Sequence, residues 1–227
     1  MKSAILFLAL AVAFSAVIAS EKPEMDNEIQ MEKIVTMAYD PPLPVAVIGT
    51  RSGVQVNFMA SAWFTRLEVN PYLFGVSIQK QHFTHKAILE NNCLSINIPT
   101  LEMLKQVDAV GLVSGKEHDK SQVFKVFYGD NDKCPMVDGS IVSFECEVVR
   151  SVDLVEYDQG YPRAHTLFIV EVKKVWANKN NIKDNAPDYT TLKPIIWTIS
   201  PNNYWTIGEN QGSAFNQDNR KLVPKKK

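Results

Sequence analysis

Residues 45–60 read V-A-V-I-G-T-R-S-G-V-Q-V-N-F-M-A, and they decide the fold class. Val45 to Thr50 is a β-rich run, and Val54 to Ala60 is a second. Ser52-Gly53 separates them, and glycine admits the left-handed backbone that tight hairpin turns need. The stretch therefore predicts two antiparallel strands.

The same pattern continues downstream. Tyr72 to Gln79 reads as a strand opened by Pro71, and Cys93 to Ile98 as one ended by Pro99. Thr84 to Asn91 has helical character, with Thr84 placed as its N-cap. Leu101, Leu104, Val107 and Val110 fit a second helix, capped by Thr100 and ended at Gly111. Ile141 to Arg150 and Thr166 to Val175 are long strands, with a further strand expected over Ser151 to Asp158. Residues 178–188 are polar and loop-like. Ile195 to Ile199 and Tyr204 to Ile207 are short terminal strands. Many short strands with two inserted helices predict a mainly β fold, an antiparallel barrel with helical additions. No strand, glycine loop and helix follow one another, which argues against a doubly wound nucleotide fold.

Upstream the composition changes. Lys2 precedes an apolar run from Ala4 to Ala19, broken only by Ser15, with Val17 and Ala19 at the −3 and −1 positions of a cut before Ser20. This is the pattern of a secretory signal over 1–19. The run is shorter than the roughly twenty residues of a bilayer span. The sequence thus predicts an exported chain, periplasmic or secreted, with no stable membrane span after cleavage. Residues 20–38 form a polar lead-in with Glu21, Glu24, Asp26, Glu28 and Glu32, and a short strand is expected at Ile34 to Met37. The folded domain is expected over 39–215, and 216–227 reads as a disordered basic tail.

The 227 residues are 45% hydrophobic, enough for a sizeable core. A formal net charge of −1 supplies no basic surplus for nucleic acid. Of three cysteines, an exported chain can pair two and leave one thiol over. Cys93 and Cys146 lie in apolar runs that suit buried, inert thiols. His82 and His85 lack a third ligand nearby, so no metal is expected.

Two stretches can carry chemistry. Asn57, Ser61 and Thr65 offer polar groups beside Met59, Ala60 and Trp63, a mixture that suits a planar ligand with polar edges. An ordinary strand edge packing Trp63 fits the same residues. Gln79, Lys80 and Thr84 end a strand and open a helix, where a cation, a hydroxyl and unpaired N–H groups favour an anion. A capped helix with a surface lysine is the commoner reading of these residues taken alone. Asp119 and Lys120 read as a charged turn.

The order of P-V-A-V-I-G-T (44–50), N-F-M-A-S-A-W (57–63), V-S-I-Q-K-Q-H-F-T (76–84) and L-S-I-N-I-P (94–99) resembles the flavin reductase-like family. So do G-L-V-S-G-K-E-H-D-K (111–120), A-H-T-L-F-I-V-E-V (164–172) and Y-W-T-I-G-E (204–209). The resemblance implies an FMN-binding split barrel, a split antiparallel β-barrel with inserted helices that forms a homodimer. By position, Asn57, Ala60, Ser61 and Trp63 would line the flavin ring and ribityl chain, with Thr50 beside them. Gln79, Lys80 and Thr84 would hold ribityl and phosphate oxygens, and the stretch with Asp119 and Lys120 would border the flavin or the dimer partner. His165 would lie on the nicotinamide side, although Arg163-Ala164 stands where the family often has Gly-Asp. The implied activity passes electrons from NADH or NADPH through FMN to flavin, ferric or protein acceptors. An electron carrier fed by a redox partner is the alternative, and a barrel that has lost its flavin and serves protein interaction is a third.

Overall fold

A computed structural model describes residues 40–155 and 163–214, together with Val223. The expected signal peptide, lead-in, 34–37 strand and basic tail lie outside the described residues, apart from Val223. Among the described residues, no helix is long and apolar enough to cross a membrane.

The decisive hairpin is present. After the two-residue β1 (Leu43–Pro44), β2 (Ala46–Ser52) and β3 (Gln55–Ser61) pair antiparallel, from Ala46 against Ser61 to Ser52 against Gln55. Gly53 sits at the turn with φ +56°, the left-handed backbone that glycine tolerates without steric cost. The chain continues through β4 (Phe64–Glu68), β5 (Leu73–Gln79), α1 (Phe83–Asn91) and β6 (Cys93–Ile98). A 3-10 turn at Leu101–Met103 leads into α2 (Leu104–Leu112). Then come β7 (Val126–Phe127), β8 (Met136–Val137), β9 (Val142–Asp153) and β10 (His165–Trp176). A minor hairpin, β11 (Ile182–Lys183) with β12 (Ala186–Pro187), and α3 (Tyr189–Leu192) precede β13 (Ile195–Ile199) and β14 (Asn202–Thr206).

Seven strands form one antiparallel sheet in the order β3-β2-β6-β9-β10-β5-β4. Its two edge strands are consecutive in the chain, joined only by Ala62 and Trp63. Seven strands laid flat would span about 29 Å at roughly 4.8 Å per step. The connection from Ser61 to Phe64 reaches at most about 11 Å. The sheet must therefore roll up until its edges approach, yet β3 and β4 do not pair. The result is a split barrel, as the family resemblance implied.

Side-chain alternation along β2 explains its unbroken apolar run. Ala46 and Ile48 join the barrel interior with Val76, Leu94, Ile96 and Phe168. Val45 and Val47 face the other way, into a second cluster with Phe58, Val107, Val110 and Ile195. A strand covered on both faces has no polar side to present. The second cluster fastens α2 and the separate β1-β13-β14 sheet to the outside of the barrel.

Several local expectations are corrected. His82, not Thr84, occupies the N-cap of α1, and no side chain caps it. Thr84 lies inside the helix because its hydroxyl is used by Asn57. Thr100 precedes a 3-10 turn without capping it, and Gly111 lies within α2. No separate strand begins at Ser151, since β9 runs on to Asp153 against β10. The 178–188 stretch holds the β11–β12 hairpin, and β4 was not anticipated. Cys93 and Cys146 are buried free thiols, as their apolar runs suggested, and Cys134 is a third.

Candidate functional site

Two adjoining hollows of about 360 and about 350 Å³ share Met59, Gln79, His82, Gly111 and Leu112, and so form one cleft. Both volumes lie within the roughly 300–1,000 Å³ usual for small-molecule sites. The cleft opens where the barrel is split. Its floor comes from β3 and the end of β5, its sides from α2 and the turn before α1.

The wide end is aromatic. Trp63, in the two-residue link across the split, lies against His165 with ring centroids 4.8 Å apart. His165 gets there because β10 pairs with β5, setting it opposite Gln79. Trp197, Asn202 and Tyr204 enter from the β13–β14 hairpin. Trp197 Nε1 donates to Asn202 Oδ1 at 2.6 Å, and Tyr204 OH donates to Asp108 Oδ1 on α2 at 2.9 Å. Burial, with Asp108 next in importance, pushes the Tyr204 hydroxyl up to about 12, so it keeps its proton.

The narrow end is polar. The start of α1 and the loop Val113 to Lys120 face each other there. Thr84 Oγ1 accepts from Asn57 Nδ2 at 2.8 Å, which leaves the threonine's own hydrogen outside that bond. Asn57 Oδ1 is buried with no hydrogen-bond partner, a rare state that usually signals a missing one. Gly115 lies so close that a Cβ there would collide with Asn57 Oδ1 and with Phe83. Gln55 Nε2 fixes the glycine by donating to its carbonyl at 2.9 Å.

Lys120 is the residue whose burial the sequence did not reveal. It is 4% exposed, and its Nζ donates to Phe58 O at 3.1 Å and Val110 O at 2.8 Å. Among the described residues no carboxylate forms an ion pair with it, and burial pushes its ammonium below the ordinary lysine value. An ammonium carries three hydrogens, and two carbonyls use only two. Asp119 shapes the turn by accepting the Ser121 N–H at 2.9 Å, so the acid stays outside while the base goes in. In sequence, H-D-K-S reads as a solvated turn, and nothing in it marks the lysine as buried.

The sequence-predicted residues divide between the cleft and its surroundings. Ala60, Ser61, Trp63 and His165 line the wide end, Thr84 the narrow end, and Gln79 both. Asn57 stands behind Thr84 and Gly115. Thr50 is buried one strand away, with its hydroxyl 3.4 Å from Cys93 O. Lys80 turns aside from the cleft, with Nζ 2.6 Å from Asp153 Oδ2. Asp153 Oδ1 accepts from Thr166 Oγ1, which meets His85 Nε2 at 2.9 Å. His82 and His85 belong to no group of metal-ligating side chains among the described residues.

A cleft with a flat aromatic end and a cationic end suits a ring joined to an anion. Comparison with known proteins agrees. The flavin reductase like domain model matches residues 37–198. An uncharacterised protein of Pyrococcus abyssi is 30% identical over 159 residues, 69% of this chain and 88% of its own. Flavoredoxin from Methanosarcina acetivorans superposes with a TM-score of 0.77 at 31% identity, covering 86% of this chain and all of that one. An FMN-binding protein from Thermus thermophilus, solved with bound 1-cyclohex-2-enone, gives 0.67 at 26% identity, with 81% and 97% covered. The chain thus belongs to the flavin reductase-like domain family, and its function is a flavin-related redox one.

Proposed function

We propose that this chain binds FMN in the cleft and passes electrons from NADH or NADPH to a flavin, ferric or protein acceptor. The observation that carries this is the pairing of ends: an aromatic wall at one, and Lys120, Thr84 and the start of α1 at the other. The residues fit the cofactor. The unpartnered Asn57 Oδ1 can accept a hydroxyl hydrogen, and the absence of a side chain at Gly115 leaves the loop close to α1.

Bound FMN supplies the electron-transfer chemistry, and the protein supplies binding and orientation. Lys120 and the helix start offset the phosphate charge. Trp63, Met59 and Leu112 shield the ring region from water. His165 and Trp63 border the side where a nicotinamide would approach. No protein acid or base is required for hydride delivery, so a cleft without a catalytic triad is sufficient. Anaerobic addition of NADH or NADPH to the FMN-loaded protein tests the enzyme reading: rapid loss of the yellow colour supports it. Slow or absent bleaching with both donors rejects it.

The flavoredoxin likeness favours a second reading, an electron carrier reduced by a protein partner. Slow bleaching by nicotinamides but fast bleaching by a reduced redox protein would select it. We further propose a homodimer, supported by exposed Leu112 and Val113 beside the cleft; light scattering on the purified protein tests it. Export, supported by the charged, apolar and small-residue order of 2–19, is tested by N-terminal sequencing of the mature chain.

A further inference from the structure

We infer that Lys116 straps the rim of the narrow end to Gln81, and that this strap makes the cleft select a flavin ending in one phosphate, FMN, over one extended by adenylate, FAD. The inference rests on the proposed flavin site and adds the residue that sets which flavin enters it. The loop that bears Lys116 is fixed from within. Ser114 O accepts the Glu117 and His118 N–H groups at 3.1 and 3.0 Å, and Ser114 Oγ accepts the Lys116 N–H at 3.2 Å. Residues 114–118 thus form one tight turn. Gly115 is buried, held through its carbonyl by Gln55 and seated against Asn57 and Phe83. Lys120, four residues beyond Lys116, is anchored to Phe58 O and Val110 O. These anchors hold the loop against the start of α1.

Lys116 faces the other way. It is exposed, and its Nζ donates to Gln81 O at 3.2 Å. Gln81 is exposed as well, yet it lines the hollow. The contact therefore joins the loop to the turn before α1 on the solvent side of the narrow end. Lys120 lies on its buried side.

A phosphate that reaches Lys120 then has a base behind it and the strap in front. A phosphate monoester ends there. A diphosphate continues, and its second phosphoryl group must leave along the cleft or between Gln81 and Lys116. The ring and ribityl chain fill the first route, and the second breaks the strap. Binding FAD thus costs a hydrogen bond that binding FMN keeps. Specificity of this kind comes from a penalty on the wrong ligand rather than from a new contact to the right one. One such hydrogen bond is worth roughly twofold to tenfold in a dissociation constant.

The test titrates FMN and FAD by calorimetry into flavin-free full chain, as the parent, Lys116→Ala and Lys116→Arg, each first shown by circular dichroism to be folded. The inference predicts that the parent holds FMN more tightly than FAD. In Lys116→Ala, FAD should tighten roughly twofold to tenfold with no gain for FMN. Lys116→Arg, which can donate to the same carbonyl, should restore the parent's ratio of the two. A parent that holds both flavins equally, or FAD bound no more tightly by Lys116→Ala, overturns the strap and leaves the flavin site standing. Weaker FAD binding by that variant also overturns it, since Lys116 would then be a phosphate ligand. Folded protein that takes up neither flavin sinks the flavin reading and this inference with it.

Discussion

At the wide end of the cleft Trp63 is 45% exposed and rests on His165, whereas at the narrow end Lys120 is 4% exposed and held by two carbonyls. The rings of the wide end come from three separate parts of the chain: the link across the barrel split, β10 and the β13–β14 hairpin. The narrow end is close-packed, and a single added methyl at Gly115 would strike Asn57 and Phe83. The difference teaches that affinity and reactivity are divided in space. In the proposed function, buried polar groups at one end would select an anion and fix its position. The other end would leave one face of a bound ring open to a second molecule, which an electron-transfer site needs.

Substitutions can break this contrast. The largest effect is expected from Lys120→Met. Loss of a charged hydrogen bond costs about 1.5–3 kcal/mol, roughly tenfold to 150-fold in FMN affinity. Riboflavin, which lacks the phosphate, should lose little, so the ratio of the two dissociation constants isolates the charge. Gly115→Ala comes next. Overpacking of this kind costs about 1–3 kcal/mol of stability, and denaturant midpoints should show the loss together with weaker FMN binding. Trp63→Ala removes an aromatic face worth about 0.5–1.5 kcal/mol. It should weaken FMN and riboflavin equally, which isothermal titration can establish.

The two smallest effects concern the surroundings. Lys80→Ala should change FMN affinity by no more than about twofold, because its ammonium is committed to Asp153 in a partly exposed pair. A larger loss, specific to FMN over riboflavin, would return Lys80 to the phosphate site. His85 is buried against Phe168 and hydrogen-bonded to Thr166. Burial holds its imidazole below the ordinary value of 6.5. The unfolded chain therefore takes up the proton first as pH falls. Stability contributed by neutral His85 is full above pH 6.5 and declines below it, until the folded pKa is reached. Denaturation midpoints measured from pH 7.5 to 5 should fall less steeply in His85→Gln.

Much of the barrel was legible in the sequence because alternation and turn chemistry act locally. The 45–60 hairpin, β5, β6 and β10 each carry their own signal in apolar period and flanking Gly or Pro. β4 was missed since Phe64 to Glu68 has little alternation and owes its strand state to pairing with β5. Thr84 was misplaced as a cap because its hydroxyl answers to Asn57, 27 residues earlier. The wide end was partly visible through Trp63 and His165. The narrow end was visible through Gln79 and Thr84 but not in its cation: whether Lys80 or Lys120 faces the cleft depends on Asp153 and on the burial of the 113–120 loop, and neither is a property of neighbouring residues.

The central claim is that the narrow end recognises a phosphate attached to a flavin ring. Its most direct test titrates FMN and riboflavin separately into flavin-free protein and follows ring fluorescence. Saturable one-to-one uptake of both is predicted, with FMN held at least about tenfold more tightly. Equal affinities, or no saturable uptake of FMN by folded protein, would contradict it.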